Sequence, residues 1–159
     1  MNYIEPRIEI IPARTLVGFK MEMSLINNRT HELWKAFMTR RSEIVNAVLP
    51  NLYSLQVYSP DYFSSFVPTN RFTKWALTEV TSTDNLPEGM EAFLLEGGQY
   101  AVFDQKGHDK SIFSYIYSKW VHHSNYRLDD RPHFEVLGEK YKNDDPNSEE
   151  EIWIPVKPK

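Results

Sequence analysis

The chain has 159 residues, a formal net charge of −4 and no cysteine. That length suits one compact domain with a substantial core and no need of staples, the missing cysteine removes disulfide and thiolate chemistry, and the acidic balance, with Arg40-Arg41 as its one basic pair, argues against a nucleic-acid surface. No apolar run approaches the ~20 residues of a membrane span and the charged start MNYIEPRIEI lacks the apolar core of a signal peptide, so the expectation is a cytoplasmic protein with no membrane and no direct nucleic-acid partner.

Residues 7–11 (RIEII) alternate in part and read as a strand ending at Pro12. Residues 15–24 alternate throughout, with Val17, Phe19, Met21 and Met23 on one face and Leu16, Gly18, Lys20 and Glu22 on the other; Gly18 marks a bulge or a close backbone approach. A helix is expected over about 30–44, with Asn28 as its candidate N-cap and Leu33 and Phe37 on its apolar side. Strands follow at 53–58, between Pro50 and Pro60, and at 72–80, where Trp75, Leu77 and Glu79 share a face. DNLPEG at 84–89 is turn chemistry, and strands resume at 90–95 and, beyond Gly97-Gly98, at 99–107. A second helix over about 110–123, with Asp109 as cap, places Phe113, Ile116, Tyr117 and Trp120 on one stripe and predicts Phe113 and Trp120 in the core. Two strands, 134–137 and 152–156, close the chain around the polar loop 142–150.

The strand-then-helix pattern at 15–44 returns at 99–123, so that Phe19 falls on Phe103 and Asn28 near Asp109. Two copies at a long period imply a duplicated domain, with pseudo-repeats of about 1–80 and 90–159 inside a single unit spanning 1–159. There are too few helices for a doubly wound parallel sheet. The expected class is α+β: a duplicated β-α-β-β module, an antiparallel or mixed curved sheet with two main helices on one side, and a ligand cleft between the halves.

In 134–136, Phe134 and Val136 share one face and Glu135 takes the other; in 151–156, Ile152, Ile154 and Val156 share one face and Glu151, Trp153 and Pro155 the other. The aliphatic face is expected to pack on the helices. The opposite face, carrying an acid and a large aromatic, is expected to line the cleft. A carboxylate among rings suits lipophilic organic cations or flat apolar molecules, since each ring face attracts a cation by ~0.5–2 kcal/mol. The same residues also allow a plainer reading: Glu135 as a solvated strand residue or a partner of Arg131, and Trp75 and Trp153 as ordinary packing.

Four segments in order, GQYAVFDQKG at 98–107, IYSKWVHHSNY at 116–126, PHFEV at 132–136 and EIWIPVK at 151–157, together with PARTLVGF at 12–19 and Trp34, carry a resemblance. The chain resembles the GyrI-like small-molecule-binding domains, which are similar to the effector-binding domains of AraC-type and MerR-type multidrug regulators. The resemblance implies a ligand cleft between two modules, with Glu135 as the acid at its floor. It implies a stand-alone version, the regulators' DNA-binding domain having no room in 159 residues. The expected ligand-facing set is Glu135, Trp153, Tyr100, Trp75, Phe19 and Tyr58, for a small organic ligand that is sequestered or sensed. Some relatives hydrolyse cyclopropane-bearing electrophiles with a Glu and an aromatic hydroxyl; Glu135 with Tyr100 or Tyr58 is the corresponding pair here. A third reading is a protein-interaction module such as a gyrase inhibitor. VLGE at 136–139 departs from relatives that carry an aromatic soon after the Glu, which leaves the width of the cleft open.

No cofactor and no metal are expected. His122 and His123 are adjacent and point apart on a helix, His31 has Lys35 where a zinc-protease motif has its second His, and His108 and His133 are isolated. No nucleophile elbow and no phosphate-cradling loop occurs.

Overall fold

A computed structural model describes residues 5–107, 110–143 and 145–159. Strands β1 (Arg7–Ile11) and β2 (Arg14–Ser24) precede helix α1 (Thr30–Arg40), which ends in a 3-10 turn, Arg41–Glu43. Strands β3 (Ala47–Val57), β4 (Arg71–Val80), β5 (Glu91–Leu95) and β6 (Gly98–Lys106) follow. The second helical segment comprises α2 (Ser111–Tyr115), a π turn (Ile116–Trp120) and α3 (Val121–His123), and the chain closes with β7 (Tyr126–Leu128), β8 (His133–Leu137) and β9 (Glu149–Pro158). Among the described residues no helix is long and apolar enough to cross a membrane.

Every strand pairing is antiparallel, in the order β1-β6-β9-β8-β3-β4-β2-β5, with β7 on β9. Two halves are visible in it: β3-β4-β2 and β8-β9-β6 diverge from the central β3/β8 pair, and each half carries its own helix between its first and second strands. The leading strand of each half pairs across, β1 on β6 and β5 on β2. This order dictates curvature. β1 and β2 lie six strand spacings apart, about 29 Å in a flat sheet, yet only Pro12 and Ala13 join them, a link that reaches about 11 Å at most. β5 and β6 are in the same position, joined by Glu96 and Gly97. The sheet therefore curls until its ends approach. At the meeting point an added Cβ on Gly97 would lie 2.9 Å from the Ala13 nitrogen, so the two links cross where only glycine fits.

The inner face fills with strand side chains alone: Leu16, Tyr53, Leu55, Trp75, Tyr100, Phe134 and Trp153 belong to one buried cluster. The outer face divides into two. α1 seats Leu33 and Phe37 over Val17, Met23 and Ala76, and the second helical segment seats Ile112, Ile116 and Trp120 over Phe103, Ile152 and Ile154. Gly18 is the close approach its place in an alternating strand suggests: a Cβ there would collide with the Ala76 carbonyl.

The helices differ in detail from the sequence expectation. α1 stops at Arg40, because the following 3-10 turn leads into Ile44 in an extended conformation; Arg29, not Asn28, holds its N-cap position without a side-chain cap, while Asn28 accepts the Thr30 amide at 3.0 Å. The Asp109 cap lies outside the described residues. The π turn widens the second helix, so its buried stripe runs Ile112, Ile116, Trp120 at four-residue steps, and Phe113 and Tyr117 are only half-buried. Trp120, edge-on to Phe103 at 5.1 Å, is a core residue. Trp120→Ala is expected to cost ~3–5 kcal/mol and Phe113→Ala clearly less, measured by denaturant unfolding; equal losses would contradict the shifted stripe.

Candidate functional site

Residues paired directly across neighbouring strands share a face, so the registers read out rows on the outer face. The middle row runs Phe103, Ile152, Glu135, Ser54, Ala76, Phe19. One step along lies His133, Gln56, Lys74, Met21. The two phenylalanines occupy corresponding places in the two halves, one beneath each helical cover. Glu135 and Ser54 lie at the centre between the covers, with Glu135 half-buried and Ser54 buried. Small Ser54 and Ala76 keep this floor low. At the far end of Glu135's strand face, Glu150 pairs with Gln105 and stands two residues from Ile152 on β9, hence on the same face.

Aromatic side chains close the His133 end. Just beyond β3, Tyr58 meets His133 edge-on at 5.0 Å and packs against Tyr62, Phe63 and Phe72. Phe63 stacks on both Tyr117 (4.8 Å) and His133 (5.3 Å), so the short turn after β3 reaches the second helix. The Tyr117 hydroxyl lies 2.8 Å from His133 Nδ1, the tautomer setting which of them donates. Burial, with Arg131 adding to it, holds His133 down to about 3, so the ring is neutral at physiological pH. Burial raises both Tyr58 and Tyr117 above the usual phenol value, and the charge of Glu135 pushes both further; both hydroxyls stay protonated. Desolvation lowers Lys74 against the opposing pull of Glu135. Burial, then the charge of Glu135, lifts the Glu150 carboxyl to about 7, although Lys110 Nζ lies 3.6 Å from Oε1. Among the described residues no hydrogen bond or ion pair engages the Glu135 carboxylate, and no group of three or more His, Cys, Asp or Glu is arranged around a metal position.

Of the six residues expected to face a ligand, three lie on this side of the sheet: Glu135, Tyr58 and Phe19. The other three, Trp153, Tyr100 and Trp75, belong to the inner core. The expectation that Glu135 and Trp153 share a face is corrected by register: Phe134 opposes Trp153, and Glu135 opposes Ile152. Alternation within a strand says which of its own residues go together; pairing decides which set meets which, and a slip of one residue exchanges them. Trp153 stacks on Phe134 at 5.3 Å and donates its Nε1–H to Glu151 at 3.1 Å, while Tyr100 lies under the Arg131 guanidinium at 4.6 Å. Arg131 itself bonds Asp129 and the Gln99 carbonyl, so it is not the partner of Glu135. Tyr117, Phe63, His133, Lys74 and Glu150 were not identified in the sequence. The signal for Glu150 was present, since it continues the alternation of Ile152, Ile154 and Val156, but its acidic neighbours read as loop.

Two open grooves lie elsewhere on the surface. One of about 770 Å³ borders Tyr115, Trp120, His123 and Tyr126; the other, about 760 Å³, runs past Gln105, Gly138, Lys140 and Glu150 and so adjoins the floor just described.

The family model of the Cass2 proteins, integron-associated effector-binding proteins, matches residues 7–156. The chain is 28 % identical over 155 residues to the transcriptional regulator BrlR of Pseudomonas aeruginosa, covering 94 % of this chain and 54 % of BrlR; it spans about half the length of that curated relative. Among solved structures, SAV2435 bound to tetraphenylphosphonium superposes with a TM-score of 0.72 at 16 % identity, covering 97 % of this chain and 94 % of that one. The C-terminal domain of EcmrR gives 0.70 at 15 % (98 % and 99 % covered), and an integron cassette protein of Vibrio cholerae 0.64 at 20 % (96 % of each). The chain belongs to the integron-associated effector-binding family, and it has the GyrI-like effector-binding fold that its motifs resemble.

The electrostatics of Glu150 are testable through stability. A carboxyl whose folded pKa lies above its unfolded value stabilises the fold while protonated, and that stability is lost as pH rises from about 4.5 to about 7. His133 acts oppositely, its depressed pKa costing stability as pH falls from 6.5 towards about 3, so the unsubstituted protein shows the two partly cancelled. Comparison with Glu150→Gln isolates the first. The melting midpoint of the variant minus that of the unsubstituted protein should increase between pH 4.5 and 7; a constant difference would contradict a raised Glu150.

Proposed function

We propose that this member of the integron-associated effector-binding family captures lipophilic organic cations between its helical covers, with Glu135 as the counter-charge. The observation that carries the reading is a half-buried carboxylate, central on the outer face, engaged by no hydrogen bond or ion pair among the described residues and two residues along β8 from His133, which Tyr58 and Tyr117 contact. A carboxylate that loses water without gaining a partner is costly, and a bound cation offsets that cost. Ring faces add ~0.5–2 kcal/mol each. Lys74 is the built-in competitor. Its ammonium makes no ion pair within 4.0 Å among the described residues, and its own desolvation weakens it. The tetraphenylphosphonium bound to SAV2435 supports this ligand class, and the transcriptional regulator BrlR and the complex of EcmrR with DNA support sensing as the use to which binding is put.

A second reading draws on the two protonated tyrosines beside Glu135. In it Glu135 takes a proton from water, the water oxygen attacks a strained carbon, and Tyr58 or Tyr117 donates to the departing atom. Tyr100, on the inner face, has no part in that chemistry.

The test compares 1-methyl-4-phenylpyridinium with uncharged 4-phenylpyridine at mildly alkaline pH. The cation should bind about tenfold more tightly, equivalent to ~1.4 kcal/mol, and Glu135→Gln should bring the two within about twofold. Equal affinities in the unsubstituted protein would contradict the proposal. Consumption of a cyclopropane-bearing electrophile that ceases in Glu135→Gln would establish the second reading in its place.

A further inference from the structure

The helix side of the sheet holds a second carboxylate that the reading above leaves unused. Glu150 stands two residues from Ile152, the direct partner of Glu135. The two acids are thus diagonal neighbours on adjacent strands and the same face, a spacing of about 7–8 Å. The Glu150 side chain is 3 % exposed, and its buried Oε2 has no hydrogen-bond partner among the described residues. Lys110 Nζ lies 3.6 Å from Oε1 while its side chain remains 63 % exposed, and the same ammonium sits 5.8 Å above the centroid of Phe113. A carboxylate on one side and a ring face on the other is how an organic cation is held. Lys110 occupies that position as a tethered cation, on a flexible, mostly solvated stem whose ion pair contributes little.

We infer that Glu150 and Phe113 form a second cation subsite, filled by Lys110 until ligand arrives, and that the floor between the helical covers prefers a flat aromatic dication with one charged centre at Glu135 and the other at Glu150. This rests on the assignment of Glu135 above. Lys74, on β4 across β3 from Glu135, acts electrostatically on both acids, so it is a second resident cation with which the ligand competes. The lift of the Glu150 carboxyl by burial and by Glu135 is consistent with an acid that Lys110 does not fully compensate, and a second positive centre on the ligand relieves it.

Methyl viologen and 1-methyl-4-phenylpyridinium share a biaryl frame and differ in one charged ring nitrogen. In calorimetric titrations viologen should bind the unsubstituted protein about tenfold more tightly. Glu150→Gln should abolish that preference and leave the monocation within about twofold of its original affinity. Lys110→Met, on an exposed side chain that keeps the test open if Glu150→Gln fails to fold, should strengthen viologen binding about threefold or more and the monocation by less. Equal affinities in the unsubstituted protein, a preference that survives Glu150→Gln, or no gain in Lys110→Met would overturn the second subsite. Where the monocation binds in a Glu135-dependent way but viologen binds no better, only the second subsite fails; where Glu135→Gln leaves monocation binding unchanged, the assignment of Glu135 fails and the dication preference with it.

Discussion

Two connections of two residues each, Pro12-Ala13 and Glu96-Gly97, have to carry the chain between opposite ends of an eight-strand path, and their shortness curls the sheet. A curled sheet has an inside, and the inside fills with its own side chains. Tyr53, Tyr100, Trp75, Phe134 and Trp153 interdigitate there with no helix among them. The helices are left with the outer face, one for each half, because the same β-α-β-β order recurs on either side of the β3/β8 pair. Any site shared by the halves then has to lie where their covers leave off, over β3 and β8. Glu135 is the charged residue that β8 turns outward at that place.

That placement sets up a local electrostatic problem. Glu135 raises the tyrosine hydroxyls around it and the Glu150 carboxyl, and it partly restrains the fall of Lys74. Two acids and two lysines, Lys74 and Lys110, balance in number. They do not balance in contact: one pair, Lys110 with Glu150, comes within 4.0 Å. Partly buried charges without a close partner are costly, and under the proposed reading a ligand of the right charge would relieve that cost at Glu135.

Much of this was legible in the chain. The repeat of strand and helix, the alternation of β2, β4, β8 and β9, and the ordered motifs from Gly98 onward led to a duplicated α+β sheet with helices on one side. Gly18 was readable as a bulge or a close approach, and the Ala76 carbonyl beside it decides for the close approach. What the sequence withheld was register. Alternation assigns Ile152 and Trp153 to opposite faces of β9 but is silent on which of them meets Glu135, and the pairing chose Ile152. Three aromatics expected around the acid, Trp75, Tyr100 and Trp153, are inner-core residues for that reason; Tyr58, also expected, does lie on the outer side, and Tyr117, read from the sequence as core, joins it at His133. β7, three residues long, offered no period to detect.

The most direct measurement of the central claim is a structure of the protein with 1-methyl-4-phenylpyridinium bound. The account predicts the charged nitrogen within about 6 Å of the Glu135 carboxylate, beside Tyr58 or Tyr117. A ligand seated in the groove at Trp120 and Tyr126, or among the inner-face aromatics with Glu135 untouched, would contradict it.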